Sequence, residues 1–306
     1  MTAGNWVIEA EGLRKVFGRK VAVADLSLRV AAGEVFGFLG PNGAGKTTAM
    51  KMLLGLVHPT AGRGFVLGHP VGSREARRWV GFLPEHFRFH DWMTGRELLN
   101  FHGQLHGLPA TARAKRIETL LAQVDLADAA DRPVGTYSKG MQQRLGLAQA
   151  LIHQPKLVFL DEPTSGLDPI GRILVRDLIV RLRSEGVTVF FNSHILGDVE
   201  AVCDRVVFLK RGRVVHETAL REGLTPELHL RLGEVPPELV RGLAAFGRVL
   251  RTAEREVWLQ LEQETAVPGI VRWLVERGAA VYGVRVQRPS LESLFLETMG
   301  PEERAG

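Results

Sequence analysis

Apolar residues along this 306-residue chain fall into short runs that alternate with helical spacing. Leu157, Val158, Phe159 and Leu160 form a run too short for a helix between its flanks and typical of a strand buried on both faces. Val187–Phe191 reads as a second buried strand, and Val35–Leu39 and Val80–Leu83 as further strands. Trp6–Leu13 alternates and pairs naturally with Val21–Val30 as a hairpin, after which Gly33-Glu34 turns the chain toward Val35. Turn-forming residues at His58–Gly62 precede a short strand, Gly64–Leu67. Helical spacing appears at Met50–Leu54, Ser73–Trp79 and Ile173–Leu182. It also appears across residues 111–130, with Ile117, Leu120, Leu121 and Val124 on one face, and from Met141 to Ile152, ending by Pro155. Val199–Leu209 continues the pattern and Gly212 marks a turn into a last short strand.

Beyond residue 216 the rhythm changes. Strands at Glu227–Leu232, Arg248–Ala253, Val257–Leu261 and Ala280–Val286 enclose helices at Pro236–Ala245 and Ala266–Glu276. That β-α-β-β-α-β order predicts a small ferredoxin-like α+β domain. Pro289-Ser290-Leu291-Glu292-Ser293-Leu294-Phe295 then begins a helix capped by Ser290. The expected organisation is an α/β domain over 1–216 and an accessory or regulatory domain over 217–306.

Two stretches carry chemistry. Gly40-Pro41-Asn42-Gly43-Ala44-Gly45-Lys46-Thr47-Thr48 fits G-x-x-x-x-G-K-[ST] between a strand and a helix, the context that a phosphate-binding loop needs. Its glycines let backbone N–H groups turn toward phosphate oxygens at a helix start, where the partial charge is positive. Lys46 would reach the β- and γ-phosphates, and Thr47 would hold Mg²⁺. The second stretch is Tyr137–Asp168. There Ser138 stands at a helix start, and the buried strand delivers Asp161 and Glu162 to its carboxyl end. Adjacent carboxylates in general are surface features; after four apolar residues they suggest metal coordination and water activation.

The loop at Gly40–Thr48, the run Tyr137-Ser138-Lys139-Gly140-Met141, the strand ending in Asp161-Glu162, the turn Ser165–Asp168 and His194 resemble, in order and spacing, the motif set of ATP-binding cassette (ABC) ATPases. The resemblance covers about residues 6–216. It implies a P-loop NTPase fold with a mixed sheet core, an antiparallel β subdomain and a helical signature subdomain, with ATP and Mg²⁺ as cofactors. It implies that Phe17 stacks on adenine and that Asp161 binds the metal. Glu162 and His194 act on the attacking water and γ-phosphate. Ser138, Lys139 and Gly140 close over the nucleotide of an opposite subunit, and Asp168 belongs to a dimer-contact loop. Two departures stand out. Glu85 replaces the usual metal- and water-sensing glutamine, keeping an oxygen ligand but adding charge; Lys139 and Met141 replace glycine and glutamine of the usual signature.

The tail is similar to that of the drug- and antibiotic-resistance branch paired with ABC-2-type membrane subunits. The implied partners are therefore a second copy or a related ATPase, and an integral membrane permease. The implied place is the cytoplasmic face of the membrane, reached through that permease. Relatives acting on ribosomes or nucleic acid usually carry tandem cassettes, a coiled-coil insertion or zinc-binding cysteines, which this sequence lacks. Phosphate-loop kinases and switch GTPases need neither the signature run nor His194.

Composition narrows the picture further. No apolar run approaches the ~18 residues of a membrane span, and the amino end has no secretory pattern. The lone Cys203 excludes an internal disulfide and reads as a core thiol. Residues 1–216 hold 28 Lys and Arg against 20 Asp and Glu, whereas residues 217–306 hold 11 against 14. The basic excess thus belongs to the nucleotide-binding part. No basic stripe interleaves with aromatics, so no nucleic-acid partner is expected. Phe87, Phe89 and Trp92 suggest a groove for a helix of the membrane subunit, while Phe101 is expected in the core. His86, His90, His102 and His106 read as surface or hydrogen-bonded histidines.

Overall fold

The computed structural model describes residues 5–220, 226–287 and 290–300, which gather into two compact units meeting in sequence at Thr218 and Ala219. The first opens with β1 (Trp6–Phe17) and β2 (Lys20–Ala31), an antiparallel hairpin in which Ile8, Ala10, Leu13, Val23, Leu26 and Val30 turn inward. β1 runs four residues past the expected Leu13, so Phe17 ends a strand instead of following one. Next come β3 (Val35–Leu39), α1 (Lys46–Leu53), β4 (Ala61–Val66) and β5 (His69–Pro70). β4 starts inside the segment expected to be a turn, because Ala61 and Arg63 pair with Arg14 and Glu11 of β1.

The chain continues through α2 (Arg74–Arg77), capped by Ser73, to β6 (Val80–Leu83). A helical subdomain follows: α3 (Gly95–Leu105), α4 (Ala110–Gln123) and α5 (Lys139–Leu151). α3 begins with a reciprocal cap between Thr94 and Glu97, which satisfies two otherwise unpaired N–H groups. The helix expected over residues 111–130 stops at Gln123. Asp125 takes a left-handed backbone (φ 53°), and Ala127–Ala129 forms a separate 3₁₀ turn. The expected apolar face survives: Ile117, Leu120, Leu121 and Val124 are all buried.

Then come β7 (Leu157–Asp161), α6 (Pro169–Ser184), β8 (Thr188–Asn192), α7 (Leu196–Val202), β9 (Arg205–Lys210) and β10 (Arg213–Ala219). The ten strands form one mixed sheet in the order β5-β4-β1-β2-β10-β9-β3-β8-β7-β6. β3, β8, β7 and β6 run parallel, so four carboxyl ends share one edge. Every residue of β3, β7 and β8 is buried, as helices on both faces of a parallel sheet require. At their centre the Phe190 ring lies 5.1–5.5 Å from the rings of Phe36, Phe38 and Phe159. Cys203 is buried beside the Cβ-free Gly37, and burial pushes its thiol well up, in keeping with an inert core residue.

The second unit contains β11 (Glu227–Leu232), α8 (Pro237–Leu243), β12 (Arg248–Ala253), β13 (Glu256–Gln260), α9 (Val267–Glu276) and β14 (Val281–Gln287). Its sheet runs β12-β13-β11-β14 with antiparallel neighbours, the ferredoxin-like order. Alternation along β11 and β13 sends Leu228, Leu230, Leu232, Val257 and Leu259 to a core shared with Leu243, Ile270 and Leu274 of the helices. α10 (Leu291–Met299) follows, its first turn capped by the Ser290 hydroxyl, which accepts from the Ser293 N–H at 3.1 Å. Pro289 of the sequence motif lies outside the described residues.

Phe190→Ala removes a fully buried ring from the middle of the aromatic cluster. Its expected cost is about 3–5 kcal/mol, read from urea unfolding of the purified protein. A loss below about 1 kcal/mol would contradict the central place given to this ring.

Candidate functional site

The shared edge of β3, β8, β7 and β6 collects four loops. Gly40–Gly45 leaves β3; Asn192–His194 leaves β8; Asp161-Glu162 ends β7; Glu85 follows β6. Strand register sets them side by side, with Phe38 opposite Asn192 and Asn192 opposite Asp161. Ligands bind at this end of parallel sheets because strand ends leave a crevice there.

The loop after β3 needs its glycines. Gly43 and Gly45 have φ 79° and 104°, and a Cβ on Gly45 would stand 2.4 Å from the Ala22 carbonyl oxygen. Gly45 also occupies the cap position of α1 without a side-chain cap, so the N–H groups of Lys46, Thr47 and Thr48 stay open to an anion. Lys46 Nζ donates to the carbonyl oxygens of Gly40 (2.6 Å) and Pro41 (3.1 Å). Burial pulls its pKa down, and the charges of Glu162, Asp161 and Glu85 oppose that pull.

The acidic pair faces this lysine. Asp161 is buried, and one carboxylate oxygen accepts from the Asn192 side-chain amide. Burial raises its pKa; the Asn192 bond lowers it and the Glu85 charge raises it again. Glu162 takes a left-handed backbone (φ 53°), a conformation costing about 1–3 kcal/mol for a residue of this kind. Two bonds hold it there: its N–H donates to the Asn192 carbonyl (2.9 Å), and its carbonyl accepts from the Gln143 amide (3.2 Å). Glu162 Oε2 lies 2.6 Å from His194 Nδ1, whose ring is largely exposed. Burial lifts the Glu162 pKa, and His194 pulls it back.

Lys46, Thr47, Thr48, Asn42, Gly43 and Gly45 line a cavity of about 460 Å³ together with Glu85, Glu162 and His194. Of the other loop residues, Gly40, Pro41 and Ala44 shape the turn from behind. Thr47, Asp161 and Glu85 offer only oxygen donors, the set that Mg²⁺ prefers. Among the described residues no group of three or more His, Cys, Asp or Glu could hold a metal by itself. A partial oxygen set completed by phosphate and water suits Mg²⁺, which keeps several waters. The Asn192 Oδ1, buried and without a partner, is a further acceptor here.

The remaining sequence candidates gather elsewhere. Ser138 caps α5, its hydroxyl accepting from the Met141 N–H at 3.2 Å. Asp168 caps α6 by accepting from the Gly171 N–H at 2.7 Å. With Lys139, Gly140 and Gly166 they line a second cavity of about 410 Å³ that shares no residue with the first. The Lys139 stem crosses Gly166 so closely that a Cβ there would meet it at 3.0 Å. A third cleft of about 570 Å³ touches both regions, lined by Glu85, Phe87, Lys139, Gln142, Gln143 and Ser165. Phe17 joins neither cavity; its ring is half exposed, with Lys15 Nζ 4.9 Å from the centroid.

Phe87 and Phe89 pair at 4.9 Å beside the third cleft and Trp92 is 74% exposed. Phe101, expected in the core, is 42% exposed: the α3 face that packs inward carries Leu98 and Leu99 instead. His86, His90 and His106 lie at the surface, and His106 also stacks on His153 at 3.9 Å. Burial and the neighbouring His106 hold His153 neutral, with a pKa lowered to about 4. Three contributors escaped the sequence reading. Lys20 lines the phosphate cavity from the first position of β2, and no motif marks it. Asn192 and Gln143, which hold the acidic pair, were visible only as a strand end and a helix residue; register and helix position reveal them.

A family model described as "ABC transporter" matches residues 23–165. The chain is 38% identical to the daunorubicin resistance ATP-binding protein of Streptomyces coeruleorubidus, covering 97% of each chain. It is 37% identical to the Nod factor export ATP-binding protein I of Rhizobium sp. (strain N33), covering 96% of this chain and 97% of that one. Among solved structures it resembles a dimeric, post-hydrolysis ATP-binding cassette bound to ADP and Pi, with a TM-score of 0.65 and 25% identity. That match covers 70% of this chain and 99% of the other.

Lys46→Ala should weaken binding of a fluorescent ATP analogue by at least about tenfold, since hydrogen bonds to a charged partner contribute about 1.5–3 kcal/mol. Fluorescence titration reads this; unchanged affinity would remove Lys46 from the phosphate site.

Proposed function

Since this chain belongs to the ABC transporter family and is an ATP-binding ATPase, we propose that it is the energy-supplying subunit of an ABC-2-type membrane exporter. The observation that carries the proposal is the separation of its two half-sites. The phosphate cavity and the cleft holding Ser138, Lys139, Gly140 and Asp168 have no lining residue in common. One chain therefore leaves the γ-phosphate side of its nucleotide open, and a second copy, or a related ATPase, placed head to tail would cover it. Names of relatives support the exporter reading: one confers daunorubicin resistance and one exports Nod factor. Among the described residues no helix is long and apolar enough to cross a membrane, so a separate permease would form the path. The subunit would then sit on the cytoplasmic face of the membrane through that partner.

In this reading the N–H groups at the start of α1 and Lys46 neutralise charge on the β- and γ-phosphates. Thr47 and Asp161, with Glu85 as a sensing ligand, would hold Mg²⁺, which would supply further charge neutralisation. Phe17, at the end of β1, is available to stack on adenine. Glu162, with a raised pKa, takes a proton from the attacking water, and His194 orients both carboxylate and γ-phosphate. From the partner copy, Ser138 and Gly140 close over the triphosphate and Asp168 reaches the His194 region. Hydrolysis reopens the dimer. The cleft joining Glu85, Phe87 and Lys139 passes that movement to a permease helix seated near Phe89 and Trp92.

Glu162→Gln should bind ATP, hydrolyse it at least ~100-fold more slowly, and accumulate as a dimer in gel filtration with ATP. Turnover near that of the unchanged protein would falsify the role of Glu162. Ser138→Trp should abolish turnover while each chain still binds ATP; loss of binding as well would mean damage to the fold.

A further inference from the structure

Helices α8 and α9 pack on one face of the second unit's sheet, and the cross-strand register arranges the other face unusually. Arg251 of β12 pairs with Trp258 of β13, Trp258 with His229 of β11, and His229 with Arg285 of β14. One side chain from each strand thus forms a single row across the whole sheet. The row is stacked: the Arg251 guanidinium sits 3.8 Å from the Trp258 ring centroid, and the His229 ring lies parallel to it at 4.5 Å. Arg251 and His229 come from strands on opposite sides of β13, so both faces of the indole are taken. At the two ends of the row Arg251 and Arg285 are exposed, while the stacked rings between them are partly buried.

Rows on either side add Arg248 and Arg231, so this face concentrates four arginines in a segment where acidic residues outnumber basic ones. It also carries Glu227 and Glu256, the latter with a carboxylate oxygen 3.3 Å from His229 Nε2. With both indole faces occupied, there is no platform on which a nucleobase could stack. A uniformly anionic surface, such as a bilayer or a polynucleotide, would meet the two glutamates. A face-to-face second copy would oppose arginine to arginine. A polypeptide with an acidic excess but mixed charge fits the pattern, because its carboxylates can take the forked donors of guanidinium groups.

We propose that this open face is a docking surface for a short acidic segment of a partner polypeptide. The carboxylates would be held by Arg251 and Arg285 at the ends of the row, with Arg248 and Arg231 flanking. Four strands span about 14 Å, and one such strand about 17–20 Å, which accommodates roughly five extended residues. The inference concerns the second unit alone and does not depend on the ATPase site.

The test uses the full chain and a fluorescein-labelled peptide of alternating Glu and Ser, with a Lys-Ser peptide, labelled oligo-dT and phosphatidylglycerol vesicles as competing probes, read by anisotropy and flotation. The Glu-Ser peptide should bind, and Arg251→Glu combined with Arg285→Glu should weaken binding at least tenfold. Arg241→Glu on α8 should leave it unchanged, as should all variants the basal ATPase rate. The milder Arg251→Gln with Arg285→Gln should give an intermediate loss, which guards against a folding artefact. The proposal is overturned if reversal and control variants bind the peptide alike. It is equally overturned if the Glu-Ser peptide does not bind, or if oligo-dT or vesicles occupy the same arginines more tightly than the peptide.

Discussion

Asp161 and Glu162 are carried into a low-water environment at the end of a strand with no polar neighbour before them, and much of the first unit answers that constraint. Both carboxyls have pKa values raised by burial, and Lys46 beside them is pulled down for the same reason. Desolvated charges of both signs at one strand edge are poised for a ligand that brings the missing countercharges. A triphosphate with a divalent cation would do so in the proposed function, its negative oxygens meeting Lys46 and open N–H groups, its metal meeting the carboxylates. The parallel core is what makes such burial possible. Phe36, Phe38, Phe159 and Phe190 share one face of the sheet and pack it right up to the edge where chemistry begins.

Much of this was legible in the sequence because it rests on local rules. A glycine-rich loop between strand and helix, and an apolar run followed by two acids, each carry their physics in consecutive residues. What could not be read is set by pairing across the chain. Asn192 holds Asp161 through strand register 31 residues away, and Lys20 reaches the phosphate cavity from the start of β2, just past a hairpin turn whose local sequence resembles any other. The same limit explains Phe101. Its spacing fits an inward helix face, but α3 rotates Leu98 and Leu99 toward the neighbouring helices and leaves the ring at the rim. The helix expected over 111–130 ended early because Asp125 adopted a left-handed turn, which periodicity does not reveal.

The two units use alternation for opposite ends. In the first, the residues of β3, β7 and β8 point into apolar layers on both faces and function gathers at strand ends. In the second, α8 and α9 pack on one face, and β11 and β13 alternate leucine or valine toward it with charged and aromatic residues on the other. The row from Arg251 to Arg285 exists because antiparallel register brings one side chain from each of the four strands into line, an arrangement invisible in any single strand.

The bond from the Gln143 amide to the Glu162 carbonyl crosses from α5 to the end of β7. α5 is also the helix whose first turn is capped by Ser138. The residue proposed to handle water and the residue proposed to meet a neighbouring subunit are thus tied to the same rigid rod. Any tilt of that rod slackens the tether on a backbone already held in an unfavourable conformation. In the proposed dimer Glu162 would therefore register, without touching the neighbour, whether the rod has been seated.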